Sequence, residues 1–340
     1  MIWREQIGLV KKLSLRKLFN ALMIFFSYHF SRLFAKPLLI GMPVSISFEP
    51  TTSCNLRCPE CPSGLRSFTR STGMLTMELF KKVIEENSSH LIYLNLYFQG
   101  EPYLNPNFLE MVKWANNRKI YCSTSTNAHY LNDEIARETI LSGLDRLIIS
   151  IDGVQQESYE KYRVGGSLSK VIEGAQAIIR NRLEMKSKTP YVIFQFLVVR
   201  HNEQEIERMY ELAAEIGVDE VRFKTAQVNE FENGNKLIPE NEKYSRYRKL
   251  PGGRYVIKNK LLNQCWRMWS GTVITWDGKV VPCCFDKDAK HVLGDSAKQK
   301  LSEVWNSEAY SNFRKSILQS RKSIDICTNC SEGTKVWEKV

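Results

Sequence analysis

The 340-residue chain lacks a long apolar run, has only five histidines and contains no internal repeat or low-complexity tract. A helix that spans a bilayer needs about 20 apolar residues, whereas the uncharged stretch at residues 18–31 has fourteen. Charged residues make up 25% of the chain and hydrophobic residues 43%, which excludes both a disordered chain and a protein with many membrane spans. The composition therefore predicts a globular protein that buries a sizeable core.

The nine cysteines are too few and too unevenly spaced for the disulfide framework of a small secreted protein. Clustered thiols in a chain with no cleavable signal sequence are typical of metal ligation in a reducing compartment, which predicts a cytoplasmic location. Cys122 falls inside a predicted strand and is expected in the core, while Cys284 adjoins another cysteine. The remaining seven form two sets roughly 200 residues apart: Cys54, Cys58 and Cys61, then Cys265, Cys283, Cys327 and Cys330.

The formal net charge of +11 is concentrated near the N terminus, where residues 1–36 contain seven lysines and arginines against one acidic residue. A basic flank beside an apolar, aromatic-rich stretch favours a helix that lies in the membrane interface. One prediction is therefore peripheral association with the inner face of the cytoplasmic membrane. The alternative is a helix that packs against the rest of the protein with its lysines in water. No basic stripe continues beyond residue 36, so no nucleic-acid partner is expected.

From residue 43 to residue 225, short β-rich runs alternate six times with stretches of helical periodicity, the first of which is 77–87. The β-rich runs are 44–50, 91–98, 120–126, 146–152, 191–199 and 219–225. This alternation predicts parallel βαβ units and an α/β fold, a partial (β/α)6 TIM-like barrel in which functional groups lie where strands end. A doubly wound open sheet is the alternative, but the GxGxxG turn of such folds does not follow the first strand. Residues 226–264 are predicted to form a linker, and residues 301–318 one amphipathic helix.

The first cysteine set, CNLRCPEC, begins four residues after the first predicted strand ends at Pro50. Three thiolates on one short loop can reach one metal centre, and soft thiolates select zinc, Cu(I) or an iron–sulfur cluster. A structural zinc ion needs four ligands, and Cys122 is the only distant candidate for the fourth. Three ligands instead suit a four-iron cluster that keeps one iron open for a ligand.

At this motif the sequence resembles the radical S-adenosylmethionine (SAM) superfamily, whose signature is CxxxCxxC after the first barrel strand. The resemblance covers about residues 43–225 and implies a [4Fe–4S] cluster held by Cys54, Cys58 and Cys61, with SAM on its open iron. It also implies an enzyme that reductively cleaves SAM to a 5′-deoxyadenosyl radical, which abstracts hydrogen from a substrate. The electrons would come from a flavodoxin- or ferredoxin-like donor, while the protein positions the reactants and excludes water.

Further segments resemble positions that contact SAM in this superfamily. The turn FQGEP is similar to the GGEP motif, with glutamine at the first glycine, and in the family this turn contacts the SAM amino group through its backbone. The ends of the third and fourth strands resemble positions that hold the ribose or methionine part, and the arginine of YEKYRVGG resembles one that reaches the SAM carboxylate. A strand-end cap is the alternative for Ser150, as it is for Asp152, and a surface charge is the alternative for Arg163. The positions implicated are Gln99, Gly100, Glu101, Pro102, Thr126, Asn127, Ser150 and Arg163.

The second cysteine set flanks ITWDGKVVPCC, which predicts a hairpin with its turn at Asp277 and Gly278. Four thiolates could hold a zinc ion in a small C-terminal unit. The spacing of Cys265, Gly278 and Cys283 also resembles the auxiliary-cluster domains called SPASM in full form and Twitch in short form. That resemblance implies a second [4Fe–4S] cluster that accepts or relays an electron. Its four protein ligands would be Cys265, Cys283, Cys327 and Cys330.

These observations predict four regions: a helical N-terminal segment (1–42), the radical SAM barrel (43–225), the linker (226–264) and the cluster domain (265–340). The predicted reaction is oxidation or radical coupling of an unknown organic substrate that is membrane-associated or lipid-linked. One alternative is maturation of a peptide or protein, although residues 1–42 are too short for the recognition domain expected before such a barrel. A non-catalytic zinc- or cluster-binding protein is a further alternative.

Overall fold

Six parallel strands form the centre of the molecule. The structure is a computed structural model that describes residues 2–332, with side chains from residue 5 onward. The strands are paired in sequence order, and each lies within a run predicted to be a strand. The predicted partial barrel is therefore confirmed. Residues 333–340 of the predicted cluster domain lie outside the described residues, as does Met1. The strands are β1 (Ser45–Phe48), β2 (Tyr93–Asn95), β3 (Tyr121–Thr126), β4 (Arg146–Ser150), β5 (Tyr191–Val198) and β6 (Glu220–Thr225).

Helices cross from each strand to the next and cover the outside of the sheet. The first crossover helix begins after Thr76, whose hydroxyl accepts from the amide of Leu79 at 3.3 Å, and its apolar positions Phe80, Val83 and Ile84 are fully buried. This is the helical period that the sequence displays. The helices preceding the C-terminal region are α1 (Ile2–Val10), α2 (Leu15–Phe34), α3 (Pro62–Leu65), α4 (Met77–Asn87), α5 (Phe108–Asn117), α6 (Asp133–Leu141), α7 (Gln156–Tyr162), α8 (Leu168–Glu184) and α9 (Ile206–Ile216).

The linker forms a small hairpin, β7 (Tyr247–Lys249) and β8 (Tyr255–Ile257). Its apolar side chains Leu237, Ile238 and Tyr247 pack in one cluster with Leu56 and Cys58 of the first cysteine loop. The linker therefore covers that loop from one side.

The C-terminal region continues the barrel sheet instead of forming a separate sheet. After α10 (Arg267–Ser270), β9 (Gly271–Ile274) pairs in parallel with β1, so that Gly271 lies opposite Ser45. The strands β10 (Lys279–Val281) and β11 (Gly294–Asp295) follow antiparallel, and the predicted hairpin turn at Gly278 is confirmed. Among the described residues, the resulting sheet has nine strands in the order β11-β10-β9-β1-β2-β3-β4-β5-β6, with β6 and β11 as its end strands.

One predicted helix is wrong. Residues 301–318 form two helices, α11 (Leu301–Trp305) and α12 (Glu308–Ser320). The break occurs because the hydroxyl of Ser307 accepts from the amide of Tyr310 at 3.2 Å. A serine that bonds the backbone in this way starts a new helix instead of continuing the old one.

The N-terminal helices lie against the barrel and the C-terminal region. On α1, Glu5 forms an ion pair with Arg146 of β4 and accepts from the hydroxyl of Tyr121 on β3 at 3.1 Å. On α2, Ser31 accepts from the indole N–H of Trp269 in α10 at 3.0 Å. None of the helices in residues 2–332 combines the length and the apolar character needed to traverse a bilayer.

Candidate cluster and cofactor site

The first cysteine loop follows β1 and folds over the carboxyl ends of the strands. Cys58 is buried, and Cys54 and Cys61 are partly buried. The short helix α3 starts directly after Cys61, and a Cβ placed on Gly64 would lie 2.6 Å from the backbone nitrogen of Cys58. Glycine therefore allows the loop to close tightly around its own central cysteine.

The turn after β2 contacts this loop through Gly100, whose φ is +73°. A Cβ at this position would lie 2.2 Å from the carbonyl oxygen of Thr51. The amide of Gly100 donates to the hydroxyl of Ser63 at 2.9 Å, and the amide of Glu101 donates to the carbonyl of Ser53 at 2.8 Å. Backbone contact thus joins the cysteine loop to the end of β2.

We expect Gly100→Ala to lower the free energy of unfolding by about 3 kcal/mol or more, because overpacking adds to the cost of the positive φ. Gly252→Ala is the matched control, since Gly252 has a φ of +91° and a Cβ placed on it would have no atom within 4 Å. The control substitution should lower the free energy of unfolding by only about 1 kcal/mol. Urea unfolding of both variants measures the difference, and equal costs would contradict the contact with the cysteine loop.

Glu101 connects the same turn to the end of β3. Its buried carboxylate accepts from the hydroxyl of Thr126 at 2.7 Å and from the amides of Asn127 at 2.8 Å and Tyr103 at 3.3 Å. Burial raises the pKa of Glu101 to about 7, against the lowering effect of these donors. The connection brings Asn127 to the cysteine loop, where its Nδ2 lies 3.8 Å from the sulfur of Cys54.

Arg163 reaches the same loop from the segment after β4. It forms an ion pair with Asp152, which is fully buried and also accepts from the amide of Leu197 at 2.7 Å. Its Nη1 lies 3.9 Å from the sulfur of Cys58. The alternative interpretation of Arg163 as a surface charge is therefore wrong.

The other predicted SAM positions lie around the same strand ends. Ser150 is buried, with its hydroxyl 3.3 Å from that of Ser125. The side-chain oxygen of Gln99 lies 3.9 Å from the sulfur of Cys61, and Pro102 is buried in a short 3-10 turn. The structure thus brings all eight positions to one region, while their contact with SAM stays a prediction.

The second cysteine set is drawn from three separate segments: Cys265 before α10, Cys283 after β10, and Cys327 and Cys330 near the end of the described chain. Arg321 lies among them, almost completely buried. Its Nη2 is 3.1 Å from the sulfur of Cys330, and its Nη1 donates to the carbonyl of Gln264 at 3.0 Å. Burial alone would lower the pKa of Arg321, but the neighbouring sulfurs outweigh burial and raise it.

The chemistry of both sets fits iron–sulfur clusters. Burial raises the pKa of Cys54 and of Cys327 to about 11, so these thiols keep their protons at neutral pH unless a metal displaces them. The donors that face the sulfurs, Asn127, Arg163 and Arg321, are suited to stabilise metal-bound thiolates. Across residues 5–332, no three His, Cys, Asp or Glu side chains converge as ligands of one ion. In a cluster, each thiolate binds an iron of its own.

Three cations lie near the cysteines, and one of them, Arg246 just before β7, interacts electrostatically with Cys330 and Cys284. Burial lowers the pKa of Lys287, which interacts electrostatically with Cys61 of the first set and with Cys284 beside the second. The side chain of Lys224 on β6 is exposed to solvent, yet desolvation by the protein packed around it lowers its pKa, and it interacts with Cys284 as well. Within the described residues, Lys224, Lys287 and Arg246 form no ion pair. This region can therefore attract an anionic group.

Two cysteines outside the two sets, and one histidine near the predicted SAM positions, have structural surroundings. Cys122 is fully buried in the main core, as predicted, and Cys284 is exposed. His129 accepts from the amide of Ser167 at 2.8 Å and caps that loop.

Two arginines near the cysteines, Arg321 and Arg246, were not predicted from the sequence, because neither belongs to a motif. Asp152, the partner of Arg163, was also not predicted as a site residue. It carried a weak signal, since it is an acidic residue directly after the end of a buried strand.

Two family models match the chain. The model described as "Radical SAM superfamily" matches residues 48–219, a little over half of the chain. The SPASM model, described as "Iron-sulfur cluster-binding domain", matches residues 265–331. The matched ranges contain both cysteine sets.

Individual proteins are similar over most of the chain. The tungsten-containing aldehyde ferredoxin oxidoreductase cofactor-modifying protein of Pyrococcus furiosus is 26% identical in an alignment of 313 positions, gaps included, that covers 83% of this chain and 86% of that protein. The PqqA peptide cyclase of Gluconobacter oxydans is 27% identical in an alignment of 320 positions, gaps included, that covers 87% of this chain and 84% of that protein. The solved structure of anSMEcpe with bound AdoMet has the same fold, with a TM-score of 0.64 and 18% identity over 87% of this chain and 86% of that one.

Proposed function

The chain belongs to the radical SAM superfamily and carries a SPASM domain, and from this premise we propose that it oxidatively modifies a peptide or protein. It is an enzyme whose cofactors are a [4Fe–4S] cluster and SAM, with auxiliary iron–sulfur cluster binding in the SPASM domain. A cluster held by Cys54, Cys58 and Cys61 would supply the electron for reductive cleavage of SAM, and the radical so formed would abstract hydrogen from the substrate.

In this proposal the first cysteine set and the strand ends hold the cluster and SAM. Cys54, Cys58 and Cys61 are the cluster ligands, and the turn at Gly100 presents its backbone to the SAM amino group. Arg163, held in place by Asp152, faces the SAM carboxylate. Thr126, Asn127 and Ser150 support the ribose and methionine parts.

A substrate radical becomes a stable oxidised product when it loses one electron and one proton. The proposed electron acceptor is the auxiliary cluster held by the second cysteine set. Four protein ligands leave this cluster no open iron to bind a substrate. A flavodoxin- or ferredoxin-like protein is the proposed source of the electrons that cleave SAM.

The observation that carries the peptide proposal is the similarity to a peptide cyclase over 87% of this chain and 84% of that protein. Two features of the structure agree with it. Among the described residues the sheet does not close into a full barrel, since β6 and β11 are its end strands and do not pair with each other, and an incomplete barrel can admit an extended chain. The cations Lys224, Lys287 and Arg246 favour a peptide with an acidic group near the reacting residue.

The test uses the anaerobically purified, iron-reconstituted enzyme with SAM and dithionite. Extract of the source cells is separated by ultrafiltration into a retained fraction, a filtrate and a lipid extract, and each is scored for stimulation of 5′-deoxyadenosine formation. We expect stimulation by the retained fraction, and we expect prior protease treatment to abolish it. Stimulation by the filtrate alone would contradict a peptide or protein substrate.

Lys224→Gln should raise the concentration of retained fraction needed for half-maximal stimulation about tenfold or more, the worth of one charge-assisted hydrogen bond. Lys113→Gln is the matched control, because Lys113 is exposed on the outside of α5. An unchanged response in Lys224→Gln would remove the support for an acidic peptide.

A lipid-linked substrate is the second candidate, and the outward face of α2 is the observation that favours it. Many large apolar side chains of that helix are exposed. In the same assay, stimulation by the lipid extract and not by the protease-sensitive fraction would select this candidate.

A further inference from the structure

The long N-terminal helix α2 turns its apolar face away from the protein. Leu15 is 87% exposed, Phe19 is 63% exposed and Leu33 is 73% exposed. The exposed apolar positions recur every three or four residues along about 30 Å of helix, which makes one continuous stripe. The stripe consists of Leu15, Leu18, Phe19, Leu22, Phe25, Phe26, Phe30, Leu33 and Phe34.

The opposite, buried face of α2 is largely polar and forms paired bonds with the segment that returns after the helix. Asn20 donates to the carbonyl of Met42 at 2.9 Å and accepts from its amide at 2.8 Å. Ser27 exchanges the same two bonds with Ile40 at 3.1 and 2.7 Å.

Ser31 repeats this pattern with Leu38 at 2.8 Å in both directions, and it also accepts from the indole of Trp269. Rotating the helix to bury its phenylalanines would break these bonds and leave buried polar groups unpaired. The outward direction of the apolar stripe is therefore built into the fold. Leu38 and Ile40 of the returning segment are exposed and enlarge the apolar surface.

The charges around the stripe are of one sign. Residues 6–48 contain no aspartate or glutamate, and the nearest acidic residue, Glu5, is engaged with Arg146. Lys11 and Arg16 lie exposed near one end of α2, and Arg32 and Lys36 lie exposed near the other. An apolar stripe with cations at both ends complements a surface that is apolar within and anionic at its rim.

We propose that α2 lies in the interface of a membrane containing anionic lipid, with its phenylalanine and leucine side chains among the acyl chains and its basic residues at the headgroups. A second copy of the chain fits this face less well. An antiparallel pairing of two α2 helices would bring Arg16 of one copy close to Arg32 and Lys36 of the other, and like charges repel.

The test measures co-flotation of the reconstituted full chain with vesicles of phosphatidylcholine, with and without phosphatidylglycerol. We expect binding to the anionic vesicles to be at least about tenfold stronger, and high salt to weaken it. Phe19→Gln, Phe26→Gln and Phe30→Gln, combined in one variant, should lower binding by at least about tenfold. Glutamine keeps a good helix propensity at these exposed positions.

A matched variant combines Leu141→Gln and Leu183→Gln, which replace exposed leucines elsewhere, and it should bind like the wild type. Likewise, Arg16→Gln with Arg32→Gln should reduce binding to anionic vesicles, whereas Lys113→Gln with Lys186→Gln should not. Circular dichroism and 5′-deoxyadenosine formation verify that each variant is folded. The proposal is overturned if the wild type floats neither with the vesicles that contain phosphatidylglycerol nor with those that lack it. A dimer in sedimentation equilibrium that the phenylalanine variant dissociates would also overturn it, in favour of a second copy on this face.

Discussion

Replacing Cys54, Cys58 and Cys61 together by alanine should abolish the formation of 5′-deoxyadenosine from SAM. The three thiols lie on one loop beside Arg163 and Asn127, and no other cysteine is within the same loop. The variant should keep about four of about eight irons per chain, because the second cysteine set is built from other segments. Iron analysis and chromatography of the SAM products measure both effects.

The control is Cys122→Ala, which removes a buried cysteine of the main core. It should retain the full iron content and the ability to cleave SAM, with a modest loss of stability. A triple variant that still forms 5′-deoxyadenosine would refute the assignment of the first set. One that loses all of its iron would show that the two sites are not independent.

Replacing Arg321 by methionine should shift the reduction potential of the auxiliary cluster to a more negative value. Arg321 is buried, and its Nη2 lies 3.1 Å from the sulfur of Cys330. Removing a positive charge beside the ligands disfavours the gain of an electron. A unit charge about 5 Å away, at an effective dielectric constant of about 20, corresponds to roughly 140 mV for a one-electron couple. A redox titration followed by electron paramagnetic resonance measures the shift.

Arg321→Lys is the control, because it keeps the charge and should preserve most of the potential. The signal of the first cluster serves as an internal reference and should not move. Both variants lose some of the bonds to the Gln264 and Glu332 carbonyls, at a cost of about 1–3 kcal/mol each in stability. Equal shifts in the two variants would mean that packing, and not charge, sets the potential.

The barrel could be predicted from the sequence because apolar residues recur with clear periods in its strands and helices. The helix Met77–Asn87 has the same bounds in the sequence pattern and in the structure. By contrast, the parallel pairing of β9 with β1 joins distant parts of the chain. Strand pairing depends on the topology of the whole sheet and leaves little local signal, so the C-terminal region was predicted to be a separate unit.

The candidate site shows the same division. The cysteines and the turn at Gly100 belong to short motifs, and the sequence predicted that they lie together. Arg321 and Lys287 approach the cysteines only through tertiary structure, so no sequence motif predicts their positions. Likewise, the stretch around α2 indicated an amphipathic segment, but which face is buried depends on three polar side chains and the indole of Trp269.

The pairing of β1 with both β2 and β9 also bears on the order of folding during synthesis. Ser45 lies opposite Gly271. More than 200 further residues must therefore be synthesised after β1 before β9, its second neighbour, leaves the ribosome. At about 5–20 residues per second, that interval lasts roughly 10–45 s. Throughout it, β1 presents an open edge directly before the first cysteine loop, and such edges invite aggregation. Iron delivery to that loop during translation, or a chaperone that shields the edge, would protect the chain in this interval.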